Sequence, residues 1–210
     1  MKIICAFGQL MNGKDVFSDY LKIKLDELNG IFWERASFAN AVKNVYENAF
    51  GVDRSFIEKY KRMPINPPGM QMNVRQSLQF IGDGFRKIKG DIWIEIALRD
   101  KKRNIIISDG RYVNEAKKVN ENSGLNILIF RKNYLNDDQN PSESGLRPLV
   151  EFCNNNCEDG LINKTMVNIP EELKPFDIFI RNDGDLQDFY NKIDNIILPL
   201  IKERFYNEAN

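Results

Sequence analysis

The sequence predicts an α/β fold of three layers, with helices on both faces of a mainly parallel central sheet. Three observations predict it. Apolar runs of strand length alternate with helix-period segments, the pattern of repeated βαβ units. The first apolar run, Lys2 to Phe7, leads into a glycine-bounded loop. A second run, Ile105-Ile106-Ile107, is continuously β-branched and ends at Ser108-Asp109-Gly110, as a parallel strand buried on both faces does.

In chain order, Lys2 to Phe7 reads as a buried strand and Lys14 to Leu28 as a helix, with Val16, Tyr20, Ile23 and Leu28 roughly on one face and Asn29-Gly30 as its stop. Ser37 is placed to cap a helix from Phe38 to Phe50, with Gly51 to end it. A shorter helical piece covers Ser55 to Lys61. Met63 to Met72 holds Pro64, Pro67, Pro68 and Gly69, too many breakers for regular structure. Helices near Val74 to Ile81 and Asp91 to Arg99 follow. After the Ile105 strand, Val113 to Asn122 returns the chain as a helix and Asn126 to Phe130 forms the next strand. Arg131 to Arg147 is long, polar and without period, which inside a domain marks a functional lid or disorder. Phe176 to Arg181 alternates as a last strand, Asn182-Asp183-Gly184 turns, and Leu186 to Phe205 is a final helix bent or broken at Pro199. The chain carries no internal repeat.

The 210 residues are 42% hydrophobic and 29% charged, the range of an ordinary globular domain with a sizeable core. Lys plus Arg equals Asp plus Glu at 30 each, so no global field favours nucleic acid or an anionic membrane, and anion binding must be local. No apolar stretch reaches the length of a signal segment or a membrane span, which predicts a cytosolic chain. The sequence holds three cysteines and no histidine. Without an imidazole, Ser-His-Asp and Cys-His catalysis are excluded. Cys153 and Cys157 lack the further ligands that a structural zinc needs and read as free thiols, while Cys5 reads as core.

Gly8-Gln9-Leu10-Met11-Asn12-Gly13-Lys14 satisfies G-x-x-x-x-G-K between a predicted strand and a predicted helix, the context that gives the motif its meaning. Gly8 and Gly13 let backbone N–H groups curl around phosphate oxygens, the helix start adds partial positive charge, and Lys14 reaches the terminal phosphates. Asp15 stands where Ser or Thr is usual. Two readings of it stay open, a carboxylate serving Mg²⁺ directly or through water, and an acidic residue favoured by the helix dipole. Asp109 ends an apolar strand, as the Mg²⁺-positioning acid of phosphate-loop enzymes does, although strands also end in Asp-Gly simply to turn. Arg111, two residues on, suits neutralisation of a transferred phosphoryl group, or is a surface arginine.

Together these residues resemble the phage deoxynucleoside monophosphate kinases, a branch of the P-loop nucleoside monophosphate kinases, over most of the chain. The resemblance rests on Gly8 to Asp15, Ser37-Phe38-Ala39 with Lys43, then Arg75, Leu78-Gln79 and Gly82, then Asp109-Gly110-Arg111-Tyr112 with Asn114-Glu115-Ala116, then Ser142-Glu143, and finally Asn182-Asp183-Gly184-Asp185-Leu186. It implies the P-loop NTPase fold as one kinase domain over 1–210, with a helical acceptor region at about 36–100 and a lid at about 131–150. It places Ala39, Lys43, Arg75, Gln79, Glu115 and Glu143 at the monophosphate, with Gln79 near the base, where an amide can read a base edge. Taken alone, Lys43 and Arg75 are solvated helix charges. It places Gly8, Asn12, Gly13, Lys14, Asp15, Arg131, Asn182 and Gly184 at ATP, and Lys14, Asp109, Arg111, Glu115 and Arg147 around the transferred group. Asp15 and Asp109 become the Mg²⁺ candidates. Where family members often carry a histidine before the Ser-Glu pair, this chain has Asn140.

The expected reaction is transfer of the ATP γ-phosphoryl group to the 5′-phosphate of a deoxynucleoside monophosphate, for DNA precursor supply in the (host) cytoplasm, with no nucleic-acid or membrane partner. Family members can be homodimers. Rivals are a P-loop kinase for another small phosphorylated acceptor such as dephospho-coenzyme A, against which the Arg75 and Gln79 spacing argues, and a nucleotide-binding regulator without turnover. Asn163-Lys164-Thr165-Met166 lacks the aspartate of the guanine-reading N-K-x-D motif.

Overall fold

Ile3–Phe7 (β1) is buried at every position, as a strand covered on both faces must be. In the computed structural model, which describes residues 1–29, 32–99, 103–132, 144–166 and 168–206, β1 leads through a loop into α1 (Lys14–Asn29) and then β2 (Trp33–Ala36). A helical segment follows, α2 (Phe38–Phe50), α3 (Arg54–Tyr60), α4 (Val74–Ile88) and α5 (Ile92–Ala97). The chain then resumes with β3 (Asn104–Gly110), α6 (Val113–Glu121), β4 (Leu125–Phe130), α7 (Arg147–Asn156), β5 (Gly160–Leu161), β6 (Ile178–Arg181), α8 (Leu186–Lys192) and α9 (Leu198–Tyr206). Two compact units result, Met1–Ala36 with Lys101–Asn210, and Ser37–Asp100. No described helix is long and apolar enough to cross a membrane.

The first unit holds a six-stranded sheet in the order β2-β3-β1-β4-β6-β5. Every pairing is parallel except that of β5 with β6. Alternate sheet residues, among them Ile4, Ala6, Ile106, Ile127, Ile129 and Ile180, pack with Phe17, Leu21 and Leu25 of α1 and with Phe189, Ile193, Ile197 and Ile201 of the C-terminal helices. The intervening residues face α6, as the Asn126 amide shows by donating to the Ala116 carbonyl at 2.8 Å. The predicted three-layer α/β architecture is therefore present. Full burial of each large apolar side chain contributes roughly 1.5–3 kcal/mol, so Phe17, Leu21 and Leu25 anchor α1 firmly.

Their burial corrects the expected helix face. Of that face Tyr20 and Leu28 do pack against the core, but Val16 is 38% and Ile23 56% exposed, and the buried stripe is Phe17, Leu21 and Leu25. The Phe17 N–H bonds the Gly13 carbonyl at 2.8 Å, so the preceding loop sets the rotational phase of α1. β2 and α7 were not expected, and each has a reason to be illegible. β2 is a four-residue edge strand, Trp-Glu-Arg-Ala, recruited by pairing with β3. α7 emerges from the polar stretch with Pro148 in its first turn, where proline is tolerated. The final helix is interrupted by a π-type turn at Ile193–Ile197, one turn before Pro199. Proline has no N–H to donate and its ring collides with the carbonyl four residues back, and the wider turn absorbs that conflict.

The second unit packs Tyr46, Ile57 and Val74 as its buried centre, with Val52, Phe56, Tyr60, Met70, Leu78 and Ile81 around them. α4 runs seven residues beyond the expected end at Ile81. Asn73 and Gln76 form a reciprocal cap at its start, and the Trp93 indole N–H donates to the Gly82 carbonyl at 3.0 Å. These contacts outweigh the cost of two interior glycines, about 1 kcal/mol each. α2 ends where expected, at Gly51 with φ 63°.

α2 and α3 are tied by Lys43 and Glu58 at 2.8 Å, and Lys61 also grips Glu58. Burial pushes the Glu58 carboxyl up, but the two lysines prevail and hold it at about 2. A folded value below the ordinary one gives stability that is present above the ordinary glutamate range and lost as pH falls through the folded value. Far-ultraviolet circular dichroism should therefore show acid loss of helix between about pH 4.5 and 2 that the Glu58→Gln variant shows to a smaller degree.

Candidate phosphate-binding site

The loop between β1 and α1 is shaped by close approach. Gly8 has φ 154°, and a Cβ there would lie 2.5 Å from the Ile129 carbonyl oxygen of β4. Gly13 has φ 94°, and a Cβ there would lie 2.4 Å from Asn182 Nδ2. Both positions are thus restricted to glycine by conformation and by space. Between them Met11 also takes positive φ, 61°. Conformations of this kind are the ones from which anion-binding nests of backbone N–H groups are built.

Lys14 opens α1 and is 6% exposed. Its ammonium donates to the carbonyls of Gly8 at 2.7 Å and Gln9 at 2.6 Å. Asn12 is fully buried, and its Nδ2 donates to the Ile129 carbonyl at 3.2 Å. Among the described residues Asn12 Oδ1 has no hydrogen-bond partner although it is buried, a local cost of about 1–3 kcal/mol. The Asn182 amide donates to the Asn12 carbonyl at 3.1 Å, while the Asn182 N–H donates to the Phe130 carbonyl at 2.7 Å.

Beside the loop, β3 carries a bulge. Cys5 pairs with Ile107 and Phe7 with Gly110, so Ser108 and Asp109 together oppose the single Ala6. A bulge re-aims the side chain that it carries and frequently borders a functional site. It places Asp109, half-buried, at the carboxyl end of β3, and the Gly8 N–H reaches the next residue's carbonyl, Gly110, at 3.3 Å. Gly110 itself has no room for a side chain, since a Cβ would lie 2.5 Å from the Phe7 ring.

Glu115 lies 2% exposed in the first turn of α6, and its carboxylate accepts the N–H groups of Arg111 at 2.8 Å and Tyr112 at 3.1 Å. The backbone of Arg111, half-buried between β3 and α6, is thereby fixed by Glu115. The buried Cys5 thiol registers how these charges gather. Burial pushes it well up, the negative fields of Glu115 and Asp109 add to that, and Lys14 opposes them.

Asp15 is 82% exposed and ion-paired with Arg35 at 2.7 Å. Arg35, near the end of β2, also grips Asp19 at 2.5 Å. Sequence reading missed this arginine, because nothing local links β2 to the start of α1. Asp15 and Asp19 stand one turn apart, and that i, i+4 spacing was the available clue. Among the described residues no three His, Cys, Asp or Glu side chains gather as a metal cage.

Arg131 is exposed directly after β4, and next to it the Lys132 N–H donates to Asp183 at 2.5 Å. The Asn182-Asp183-Gly184 turn is thus seated beside the end of β4. A Cβ on Gly184 would lie 2.5 Å from Asp188, which with Asp185 caps α8 reciprocally. Arg147 is half-buried in the first turn of α7. Glu143, Asn140 and most of the expected lid lie outside the described residues. Within the second unit, Ala39 and Lys43 ride on α2, and Arg75 and Gln79 sit one turn apart on α4, all half-buried. Lys43 is occupied by Glu58.

No protein-family model matches this chain, and no curated protein matches it. Among solved structures it is similar to a dephospho-CoA kinase from Campylobacter jejuni, with 18% identity and a TM-score of 0.44 over 98% of this chain and 100% of that one. It is also similar to a shikimate kinase from Acinetobacter baumannii in complex with shikimate, with 15% identity and a TM-score of 0.47 over 97% and 94%.

The Gly110→Ala variant should lose roughly 1–3 kcal/mol through overpacking, because the Phe7 ring is itself held edge-on against Phe176 at 5.1 Å. Equilibrium denaturation reads this directly; an unchanged midpoint would mean that the Phe7 ring yields freely.

Proposed function

We propose that this chain is an ATP-dependent kinase that transfers the γ-phosphoryl group to a deoxynucleoside monophosphate, giving the diphosphate, for DNA precursor supply. The observation that carries the reading is the buried Lys14 at the head of α1, folded against a loop whose conformation only glycine permits at both ends. Such a loop cradles phosphates with backbone N–H groups while the ammonium reaches the terminal phosphate oxygens. The sheet order puts β1 between β3 and β4, so the loop and Asp109 emerge at one edge, where ligands of open α/β sheets bind.

Phosphoryl transfer of this kind needs positioning and charge neutralisation more than a base. The second pKa of a phosphate monoester lies near 6, so the acceptor oxygen is already ionised at neutral pH, which suits a chain without histidine. Mg²⁺ in such sites is held by one or two carboxylates together with substrate phosphates, and the donors here fit that pattern. Asp109 would hold it from the bulged end of β3, and Asp15 would join once it leaves Arg35. The ion neutralises phosphate charge when bound. Arg111, positioned through Glu115, and Arg147 would balance charge on the transferred group.

The acceptor class rests on the resemblance to the phage kinases, with Lys43, Arg75 and Gln79 as the residues that would take the monophosphate and its base. On α4, Arg75 and Gln79 share one face at i, i+4, a spacing that pairs a cation for phosphate with an amide for a base edge. Lys43 would exchange Glu58 for the phosphate.

A coupled assay of ADP release should show turnover with one or more deoxynucleoside monophosphates out of a panel that includes ribonucleotides and dephospho-coenzyme A. Turnover with dephospho-coenzyme A alone would move the acceptor assignment. Lys14→Ala should reduce turnover by roughly 10²–10³-fold without loss of the folded circular dichroism spectrum. Arg75→Ala should raise KM for the monophosphate by on the order of tenfold or more and leave KM for ATP nearly unchanged, so equal changes would remove Arg75 from the acceptor site.

A further inference from the structure

The resemblance to the phage kinases places Asn182 and Gly184, in the late Asn182-Asp183-Gly184 turn, at ATP. The contacts of the Asn182 side chain give that residue a more particular place. The Asn182 N–H is fixed on the Phe130 carbonyl at 2.7 Å, and its Nδ2 then reaches across to the Asn12 carbonyl at 3.1 Å. The same Nδ2 lies where a Gly13 side chain would have to be. Asn12 in turn donates its own Nδ2 to the Ile129 carbonyl, the residue before Phe130. The Asn12 side chain therefore ties the loop to the Ile129 carbonyl, while Asn182, anchored by its own N–H on the next carbonyl, that of Phe130, grips the Asn12–Gly13 peptide with its side-chain amide.

We propose that Asn182 is a positioning residue for the phosphate loop, which it holds by the Asn12 carbonyl, and that it is thereby withdrawn from reading the nucleotide base. The proposal deepens the phosphate-loop reading and rests on it. The reason is peptide geometry. The Asn12 carbonyl and the Gly13 N–H belong to one planar trans unit and point in opposite directions. A donor that holds the carbonyl from behind fixes where the N–H points, and that N–H is one of the nest donors offered to phosphate. Gly13, at φ 94°, has no Cβ to restrain it, so without the clamp this peptide would rotate with little resistance. Base recognition would then fall to the backbone of Asp183 and Gly184, with Asp183 tied to the Lys132 N–H.

The test compares ATP, GTP and inorganic tripolyphosphate, a probe with no base, by titration calorimetry on the wild-type chain and Asn182→Ala. The expected result is a loss of about threefold to tenfold for all three, the size of one hydrogen bond, with an unchanged ratio of ATP to GTP affinity. Unchanged tripolyphosphate binding with a collapsed ATP preference would assign the amide to the base and overturn the proposal. Amide hydrogen exchange on the ligand-free variant tests the clamp separately. Exchange at residues 9–14 should quicken while that of Ile127–Ile129 does not, and an unchanged loop would overturn the proposal whatever the chain binds. If the wild-type chain bound none of the three probes, the phosphate-loop reading would fall and the proposal with it.

Discussion

The carbonyl of Ile129 is the point on which the rest of this site depends. It lies so close to Gly8 that no side chain fits there, and it also receives the amide of the buried Asn12. One main-chain oxygen at the end of β4 therefore sets both where the loop leaves β1 and how deep its middle sits. That oxygen is placed in turn by parallel pairing, which sets Phe7 beside Leu128. The register of β1 on β4 is hence a functional quantity. A slip by one residue would turn each β1 side chain to the opposite face of the sheet and would also carry the Ile129 oxygen away from Gly8.

Electrostatics is organised around the same edge. Lys14, Asp109 and Glu115 all act on the Cys5 thiol from positions on α1, β3 and α6, so three elements far apart in sequence bring their charges to one end of β1. Their duties differ. The Glu115 carboxylate accepts the backbone N–H groups at the start of α6 and thereby holds the backbone of Arg111. Asp109 is re-aimed by the bulge, while Asp15 is held in solvent by Arg35. Exposed ion pairs of this kind are worth about 0–1 kcal/mol, so a divalent ion with phosphate ligands would displace Arg35 at little cost.

Much of the fold was legible because the signals were local and strong. Ile3–Phe7 and Ile105–Ile107 are continuous apolar runs, Gly51 ends α2 in the left-handed region as expected, and the glycine-bounded loop lies between strand and helix. What escaped was decided elsewhere in the chain. β2 is a strand because β3 offers it hydrogen bonds, and α4 continues past Gly82 because Trp93, eleven residues on, bonds its carbonyl. Arg35 drew no notice because its partners Asp15 and Asp19 lie on a helix that only folding brings alongside β2.

The sequence by itself determined the layered α/β class, the loop from Gly8 to Asp15, the exclusion of imidazole chemistry and the residue types available to phosphate. These follow from period, composition and nearest-neighbour conformational rules, which need no knowledge of distant contacts. Only the tertiary structure decided which face of α1 is buried, that Ser108 and Asp109 form a bulge, that Glu115 holds the Arg111 backbone and that Asn182 grips the loop 170 residues away. Each of these is a contact between segments remote in sequence, and its geometry is set by strand register and close packing, quantities that no local pattern encodes.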